Sequence, residues 1–430
     1  MNSEGNASGS TIPASEMVDH LFRNRSGQMV SYLTRMLGPE HLDLAEEVVQ
    51  EALLKALQNW SYHGIPENPA GWLFRVARNA ALDAIRHRSL TIEKEAQVEA
   101  EYLGRGSTRI DEDPRLEERL RDDELRMVLM CCHPVLSSDA RVALSLKTVG
   151  GFNVREIARA FLTEEATISQ RLVRAKRQIR DLNIKFEMPV GVDLPARLTS
   201  ALEVIYLMFN EGYAAQSGED LVRDDLCMEA LRLGRLLADS SVGTPAIQAL
   251  VALMAFQAAR LPARVDAAGE LVLLEDQDHK LWDQRLVAMG FQYFSRCSEG
   301  NEISQYHIQA AIAATHAGTS DSKNTDWKMI LDLYDQLMVL NPSPIVALNR
   351  VVALAQVQGS LAGLEALHPL GNEPFLKRYY LLPAVRGQLL LDLGDRTSAA
   401  QNFRNALHQS CSEPERRLLQ RRLAECGADS

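Results

Sequence analysis

The sequence is short of nearly every feature that would take it out of the ordinary globular classes. Its 430 residues include six cysteines, Cys131, Cys132, Cys227, Cys297, Cys411 and Cys426, none in CxxC spacing. That excludes a disulfide-stapled secreted fold and suits thiols serving as small core residues in a reducing compartment. Cys131-Cys132-His133 allows a metal corner or core packing; adjacent cysteines diverge on a helix and His133 precedes Pro134, so packing is favoured. No apolar run approaches the roughly 20 residues that span a bilayer, so no membrane partner is expected. The leading "MNSEGNASGSTIPASE" lacks a basic n-region and an apolar h-region, so residues 1–15 are expected to be a disordered lead-in to a cytoplasmic protein. Phosphate loops and nucleophile elbows are absent. Glu203, Glu211, Asp220 and Asp224 are the best candidates for paired carboxylates, but no His, Lys or metal pattern joins them. No enzymatic role is therefore expected, with no catalytic residue, metal or cofactor.

Strand signals are also scarce, and helical periodicity dominates what remains. The expected fold class is all-α. The formal net charge of −11 is unevenly spread: residues 1–186 hold 25 Lys+Arg against 27 Asp+Glu, a balance of −2, and the remainder holds 21 against 30, a balance of −9. The acidity lies mostly in the C-terminal part, and local basic clusters guide the search for a partner better than the total. Composition divides the chain into a helical block at 16–89, a charged linker at 90–121, a second block at 122–186, a joint in "FEMPVGVDLPAR", and a long helical region at 194–430. Within that region "ARVDAAGELVLLEDQD" reads as a small hairpin turning at Gly269.

In the second block, "VREIARAFLTEEATISQRLVRAKRQIR" predicts two helices joined by a short turn. The first covers Val154 to Phe161, with Ile157, Ala158 and Phe161 on its apolar face. Thr163 is the expected N-cap of the second, with Glu164 and Glu165 at its positive end. Ile168, Leu172, Ala175 and Ile179 recur at helical spacing and should be buried. One reading is a solvated basic helix. The other is a helix-turn-helix whose second helix enters the major groove by its N-terminal end. Thr167, Gln170 and Arg171 then reach base edges, while Arg174, Lys176, Arg177 and Arg180 neutralise phosphates. The short first helix, tight turn and polar leading end favour the second reading.

In the first block, "HLDLAEEVVQEALLKALQNW" is amphipathic, with Leu44, Val48, Leu53 and Leu57 toward a core and Glu46, Glu47, Gln50 and Glu51 on other faces. "NPAGWLFRVARNAALDAIRHRS" follows, where Trp72 stands among Arg75, Arg78, Arg86 and Arg88. An aromatic beside cations suits single-stranded DNA, because bases stack and phosphates need positive charge; Trp72 in the core is the alternative.

"AEEVVQEALLKAL", "WLFRVARNAALDAIR" and the helix-turn-helix together resemble a bacterial sigma factor of the extracytoplasmic-function class. "CCHPVLSSDARVALSLKTVGGF", "YLMFNEGYAA" and "LEDQDHKLWD" resemble the subgroup with a long C-terminal, tetratricopeptide-containing extension. The resemblance implies sigma region 2 at 16–89, region 4 at 122–186, and core RNA polymerase (its β′ clamp and β flap) and promoter DNA as partners. It implies that Glu47, Gln50 and Glu51 dock on the clamp and that the loop Asn59 to Asn68 helps capture a flipped base. Trp72, Arg75, Asn79, Arg86 and Arg88 would contact the melted −10 strand. Thr167, Ser169, Gln170, Arg171, Arg174 and Arg177 would read the −35 element.

The extension ends in "LLLDLGDRTSAAQNFRNALHQSCSEP", where Gly394 closes one helix and Ala400, Phe403, Ala406 and Leu407 line the next. With "LYDQLMVLNPSPIVALNRVVALAQVQGSLAGLEAL" this gives tetratricopeptide-like repeats over about 326–427, against a generic helical bundle. "FNEGYAA" is the best-marked site in the extension. Asn210, Glu211, Gly212 and Tyr213 form either a helix C-terminus, with Tyr213 packing back, or a regulatory contact with the sigma domains, an effector or a protein partner. The rival function is a helix-turn-helix regulator with a tetratricopeptide sensor that does not join polymerase.

Overall fold

A computed structural model of the chain describes residues 14–89, 115–161, 163–213, 223–319 and 324–427. Among them every long element is a helix, and extended pairing is limited to one isolated antiparallel bridge, Val265 to Leu271. The chain forms two compact units, residues 1–204 and 205–430.

The first unit begins with α1 (Ala14–Leu37), α2 (Leu42–His63) and α3 (Pro69–Ser89), each packed on the other two. Ala45, Ala52 and Ala56 of α2 are fully buried and let its neighbours approach closely, while Val48, Val49, Leu73 and Phe74 fill the space between. Tyr32 meets Phe74 edge to face at 6.1 Å. Asn68 caps α3 by accepting the Gly71 N–H at 2.9 Å. Leu57 departs from expectation: it is 38% exposed, because the core face of α2 runs through Leu53, Ala56 and Trp60. The loop expected from Asn59 is also shorter, since α2 continues to His63 and Gly64, at φ 82°, ends it.

Among the described residues four more helices follow in this unit before its last one: α4 (Leu116–Cys131), α5 (Ser138–Thr148), α6 (Val154–Ala160) and α7 (Glu165–Asp181). The expected linker to residue 121 is therefore too long by its last residues, and its part up to residue 114 lies outside the described residues, as does the expected lead-in up to residue 13. Cys131 and Cys132 are wholly buried, their sulfurs against Thr148 Oγ1 at 3.1 Å and Ser145 Oγ at 3.7 Å. Burial pushes both thiols far above their ordinary range, and His133 Nδ1 is taken by the Val135 N–H. The three side chains thus serve the core and a turn.

The two sets of helices interlock. At Gly27 of α1 a Cβ would fall 2.0 Å from the carbonyl oxygen of Val149, so only glycine lets α1 touch the end of α5. Asp123 of α4 is fully buried between Arg35 of α1 (3.0 Å) and Arg126 (2.9 Å). Helix α8 (Asp193–Tyr213) starts in this unit: Arg197 donates to the Leu129 carbonyl at 2.9 Å and Glu203 accepts from Arg141 at 3.4 Å. The expected joint near residue 190 is a break in secondary structure, but the division into units falls within α8, after Val204.

In the second unit, α9 (Asp224–Ala238), α11 (Gln284–Cys297) and α12 (Gln305–Ala317) surround α10 (Pro245–Ala259), which is buried on almost every side. The stretch Pro245–Ala263 is, by length and composition, apolar enough to cross a membrane, contrary to the sequence expectation; 67% of its apolar window is buried among the other helices. Gly290 lets α11 lie against the Phe256 ring, 2.5 Å from where its Cβ would be. The hairpin expected at Gly269 is a turn closed by the single bridge, with the Asp266 N–H donating to the Glu270 carbonyl.

Helices α13 (Trp327–Leu340), α14 (Pro344–Gln358), α15 (Ser360–Leu367), α16 (Leu381–Asp392), α17 (Arg396–Leu407) and α18 (Glu413–Glu425) each pack on the next. As expected, Ala400, Phe403 and Ala406 are buried, and Gly394, at φ 83°, ends α16's turn. Gly387 of α16 leaves room for the Phe403 ring, 2.9 Å from its would-be Cβ. Arg421 of α18 ties the Gly269 turn down through Glu270 at 3.0 Å.

Candidate nucleic-acid interface

Helix α6 starts at a reciprocal capping box: Asn153 Oδ1 accepts the Glu156 N–H at 2.9 Å, and Glu156 accepts the Asn153 N–H at 2.8 Å. It ends at Ala160, one residue before the expected Phe161. The turn closes with the Thr163 N–H donating to the Ala158 carbonyl. Thr163 is not the cap of α7; that position is Glu164, which makes no side-chain cap bond, so the helix start relies on its acidic residues. Ile168, Leu172, Ala175 and Ile179 are all buried as expected and seat α7 on α5 and α6.

The remaining faces of α7 carry the expected reading residues. Thr167 is half-buried in the first turn; Ser169 and Gln170 are exposed, and the Ser169 hydroxyl donates to the Glu165 carbonyl. Arg174 and Arg177 are exposed, Arg177 against Asp181 at 3.1 Å. Arg171 is half-buried and paired with Asp139 at 3.1 Å, which orients its guanidinium and partly offsets its charge. Lys176 corrects the expectation that it faces phosphates. Its ammonium turns toward α2 and holds Asp43 at 2.6 Å and Glu46 at 3.1 Å, with 15% of the side chain exposed. Burial alone would lower its affinity for the proton; Glu46 and Asp43 outweigh that and raise it.

On α3, Trp72, Arg75, Asn79 and Arg86 fall on one face at steps of three, four and seven residues. Arg75, Asn79 and Arg86 are exposed, Arg86 near Asp83 at 3.4 Å. Trp72 is half-buried and braced edge to face by the buried Trp60 at 5.5 Å, so it is neither wholly in the core nor wholly in solvent. The side chain of Arg88 lies outside the described residues. Sequence reasoning missed Tyr62, 87% exposed beside the Gly64 turn, where a ring is free to stack on a base. The "WSYHG" stretch at the helix end is the signal that marks it.

On α2, Glu47, Gln50 and Glu51 are exposed on one face, and Leu54 (61% exposed) and Leu57 continue it. Acidic residues running into solvent-facing leucines fit a protein partner better than a plain solvated surface. Leu54 was missed because leucine at this spacing also suits a core.

In the extension, Asn210 and Gly212 do not end the helix, since α8 runs on to Tyr213. Gly212 is instead a close approach: a Cβ there would lie 2.9 Å from the Arg223 carbonyl oxygen and from Cys227. Tyr213 does pack back, stacking on Phe209 at 5.7 Å, and Arg264 lies over its ring at 4.0 Å. Burial pushes the Glu211 carboxyl above its usual range. Ala214, Ala215 and Asp220 lie outside the described residues. Glu203, Glu211 and Asp224 are not assembled into a metal cluster; none of three or more His, Cys, Asp or Glu occurs among the described residues.

Comparison with known proteins agrees with this layout. Residues 21–91 match the Sigma-70 region 2 family, residues 126–179 match Sigma-70, region 4, and residues 197–298 match a family of unknown function (DUF6596). An uncharacterized protein of Rhizobium meliloti is 40% identical over 394 residues, 90% of this chain and 91% of its own length. The ECF RNA polymerase sigma factor SigE of Mycolicibacterium smegmatis is 27% identical over 38% of this chain and 60% of that relative. SigM of Bacillus subtilis, also named an ECF RNA polymerase sigma factor, is 26% identical over 38% of this chain and 94% of its own length. No solved structure matches. The buried skeleton of α2, α3, α6 and α7, the matched regions and these relatives give one identity: the chain belongs to the extracytoplasmic-function family of RNA polymerase sigma factors and carries a long helical C-terminal extension.

Proposed function

We propose that the protein binds core RNA polymerase and directs it to promoters, reading the −35 element with α7 and the melted −10 strand with α3. The observation that carries this reading is α7 itself: four buried residues fix it on α5 and α6, while Gln170 stands exposed in its leading half and Arg174 just past its middle. Gln170 suits an adenine edge, and Arg174 and Arg177 suit phosphates. On α3, Arg75, Asn79 and Arg86 take the strand while Trp72 and Tyr62 offer rings for unstacked bases. The α2 face of Glu47, Gln50, Glu51, Leu54 and Leu57 docks on the β′ clamp, and region 4 meets the β flap. The protein acts in the cytoplasm, carries no catalytic step and needs no cofactor.

The extension, read as degenerate tetratricopeptide repeats behind the α9–α12 bundle, controls this activity. The charge balance of −2 against −9 supports an inhibitory hold on the basic sigma surfaces. The test is run-off transcription with core polymerase on the gene's own upstream region, using full-length protein and a form ending at Val204. A cut near Lys185 is unsuitable, because it strips Arg197 and Glu203 from Leu129 and Arg141. More product from the short form supports inhibition. Loss of product from the short form alone makes the extension an activator, and no product from either form, with active core, refutes the sigma reading.

A further inference from the structure

The second unit holds a cleft of about 1140 Å³ between the end of α8, the segment after α10, and the start of α16. Among the described residues its ionisable lining is lopsided for so acidic a unit: Arg260, Arg264, Lys377 and Arg378 stand against the single carboxylate of Glu415. Glu415 is already engaged, accepting from the Tyr380 hydroxyl and from the Ser412 N–H at 2.8 Å.

The two inner arginines are held but not neutralised. Arg260 donates to two amide oxygens, Gln257 at 3.2 Å and Gln277 at 3.3 Å, and lies over the Trp282 ring at 5.7 Å. Arg264 donates to the Tyr213 carbonyl and covers the Tyr213 ring. Among the described residues neither has a carboxylate within ion-pair distance. Neutral acceptors orient a guanidinium without cancelling its charge, and a cation kept from water without a counter-charge is costly unless an anion completes it. Burial lowers the proton affinity of Arg260 from its ordinary value, with Tyr213 opposing the shift and Arg264 adding to it. Beside this charge the wall is aromatic: Phe375, Tyr379 and Tyr380 form a run with ring separations of 5.6 and 5.8 Å.

We propose that this cleft is an effector site for a small molecule carrying an anionic head on a flat apolar body. The head sits in the fork of Arg260 and Arg264, and the body lies against Tyr213, Phe375 and Tyr379. Arginine's planar donors suit a carboxylate or phosphate bidentately, and the volume is at the upper end for a small-molecule pocket, leaving room for a ring system. The inference rests on the second unit alone and stands or falls separately from promoter recognition.

The experiment is isothermal titration of the full-length protein with phenyl phosphate, inorganic phosphate and benzyl alcohol. Phenyl phosphate is expected to bind saturably at about 1 mM or tighter, and the other two at least about tenfold more weakly, because each supplies half of the recognition. Arg260→Gln and Arg264→Gln should each weaken it by about tenfold or more, while Arg155→Ala at an exposed position of α6 leaves it unchanged. Should an arginine variant fail to fold, Phe375→Ala and Lys377→Ser, both at exposed positions, carry the test with a loss of about threefold or more. The absence of saturable binding up to about 10 mM, or equal binding by wild type and all cleft variants, would overturn the proposal.

Discussion

Arginine is used in opposite ways in the two units. On α7, Arg174 and Arg177 stand in solvent on a helix seated by Ile168, Leu172, Ala175 and Ile179. In the second unit, Arg260 and Arg264 sit inside a cleft and are oriented by amides, a carbonyl and rings. Exposed guanidinium groups suit a polyanion whose counterions they displace, so their contribution depends on salt. Half-buried ones held in a cleft are partly desolvated in advance and suit one small anion at a fixed geometry. On the readings proposed above, similar side chains serve a polymer in one place and a metabolite-sized ligand in the other. The first unit supplies a third case: Asp123 is as buried as any charge in the molecule, yet Arg35 and Arg126 flank it. In the first unit a buried carboxyl is flanked by opposite charge; in the second, half-buried guanidinium groups meet only dipoles and rings among the described residues.

The comparison breaks first at α7. The double variant Gln170→Ala, Arg174→Ala should lower promoter-specific run-off by about 100-fold and flatten the salt dependence of DNA binding by about one unit of slope. Its melting temperature should not move, since both side chains are exposed; a variant that melts early but still selects the promoter would place these residues in the fold instead. The next effect is smaller and concerns the one cation of α7 that faces inward. Lys176→Ala leaves the Glu46 carboxylate half-buried without its cation, and urea unfolding should show a loss of about 1–3 kcal/mol. An unchanged midpoint would mean that Lys176 is an ordinary surface lysine.

The smallest effect sharpens the case of Asp123. Burial raises its carboxyl from 3.8 to about 6 despite the arginines. The folded state therefore holds this proton at pH values where the unfolded chain has released it. The resulting stability is full below about 3.8 and is lost as the pH rises through about 6. Asp123→Asn removes that dependence while the other carboxylates titrate in both proteins. The melting temperature of the variant minus that of wild type should climb between pH 4 and pH 7, by an amount on the order of a few degrees. A flat difference would mean that Asp123 is charged throughout.

Much of the geometry of the candidate nucleic-acid interface was legible in the sequence because it rests on local rules. The buried stripe of α7, the exposed acids of α2 and the α3 face of Arg75, Asn79 and Arg86 follow from helical period alone. The misses have a common cause. Leu57 was assigned to the core, although the Ala45, Ala52 and Ala56 track draws the contact line elsewhere. Lys176 was assigned to phosphate because nothing local announces that Asp43 and Glu46 meet it across the fold. Gly212 looked like a helix terminator, whereas its missing side chain makes room for Arg223 and Cys227. The arginine cleft was invisible, since its lining comes from segments more than a hundred residues apart.

The sequence by itself determined where helices form, which stripe of each is apolar, and that a basic, capped helix follows a short turn. Those outcomes depend on neighbours within about four residues, where periodicity and capping act. Tertiary structure alone decided which charges are spent and which remain available. Lys176 is closed off by α2, Arg171 is half-offset by Asp139, and Arg260 and Arg264 sit in a cleft with no carboxylate at ion-pair distance among the described residues. The physical reason is that a charge is governed by burial and by whatever lies within a few ångströms of it, and in a folded chain those neighbours come from distant parts of the sequence.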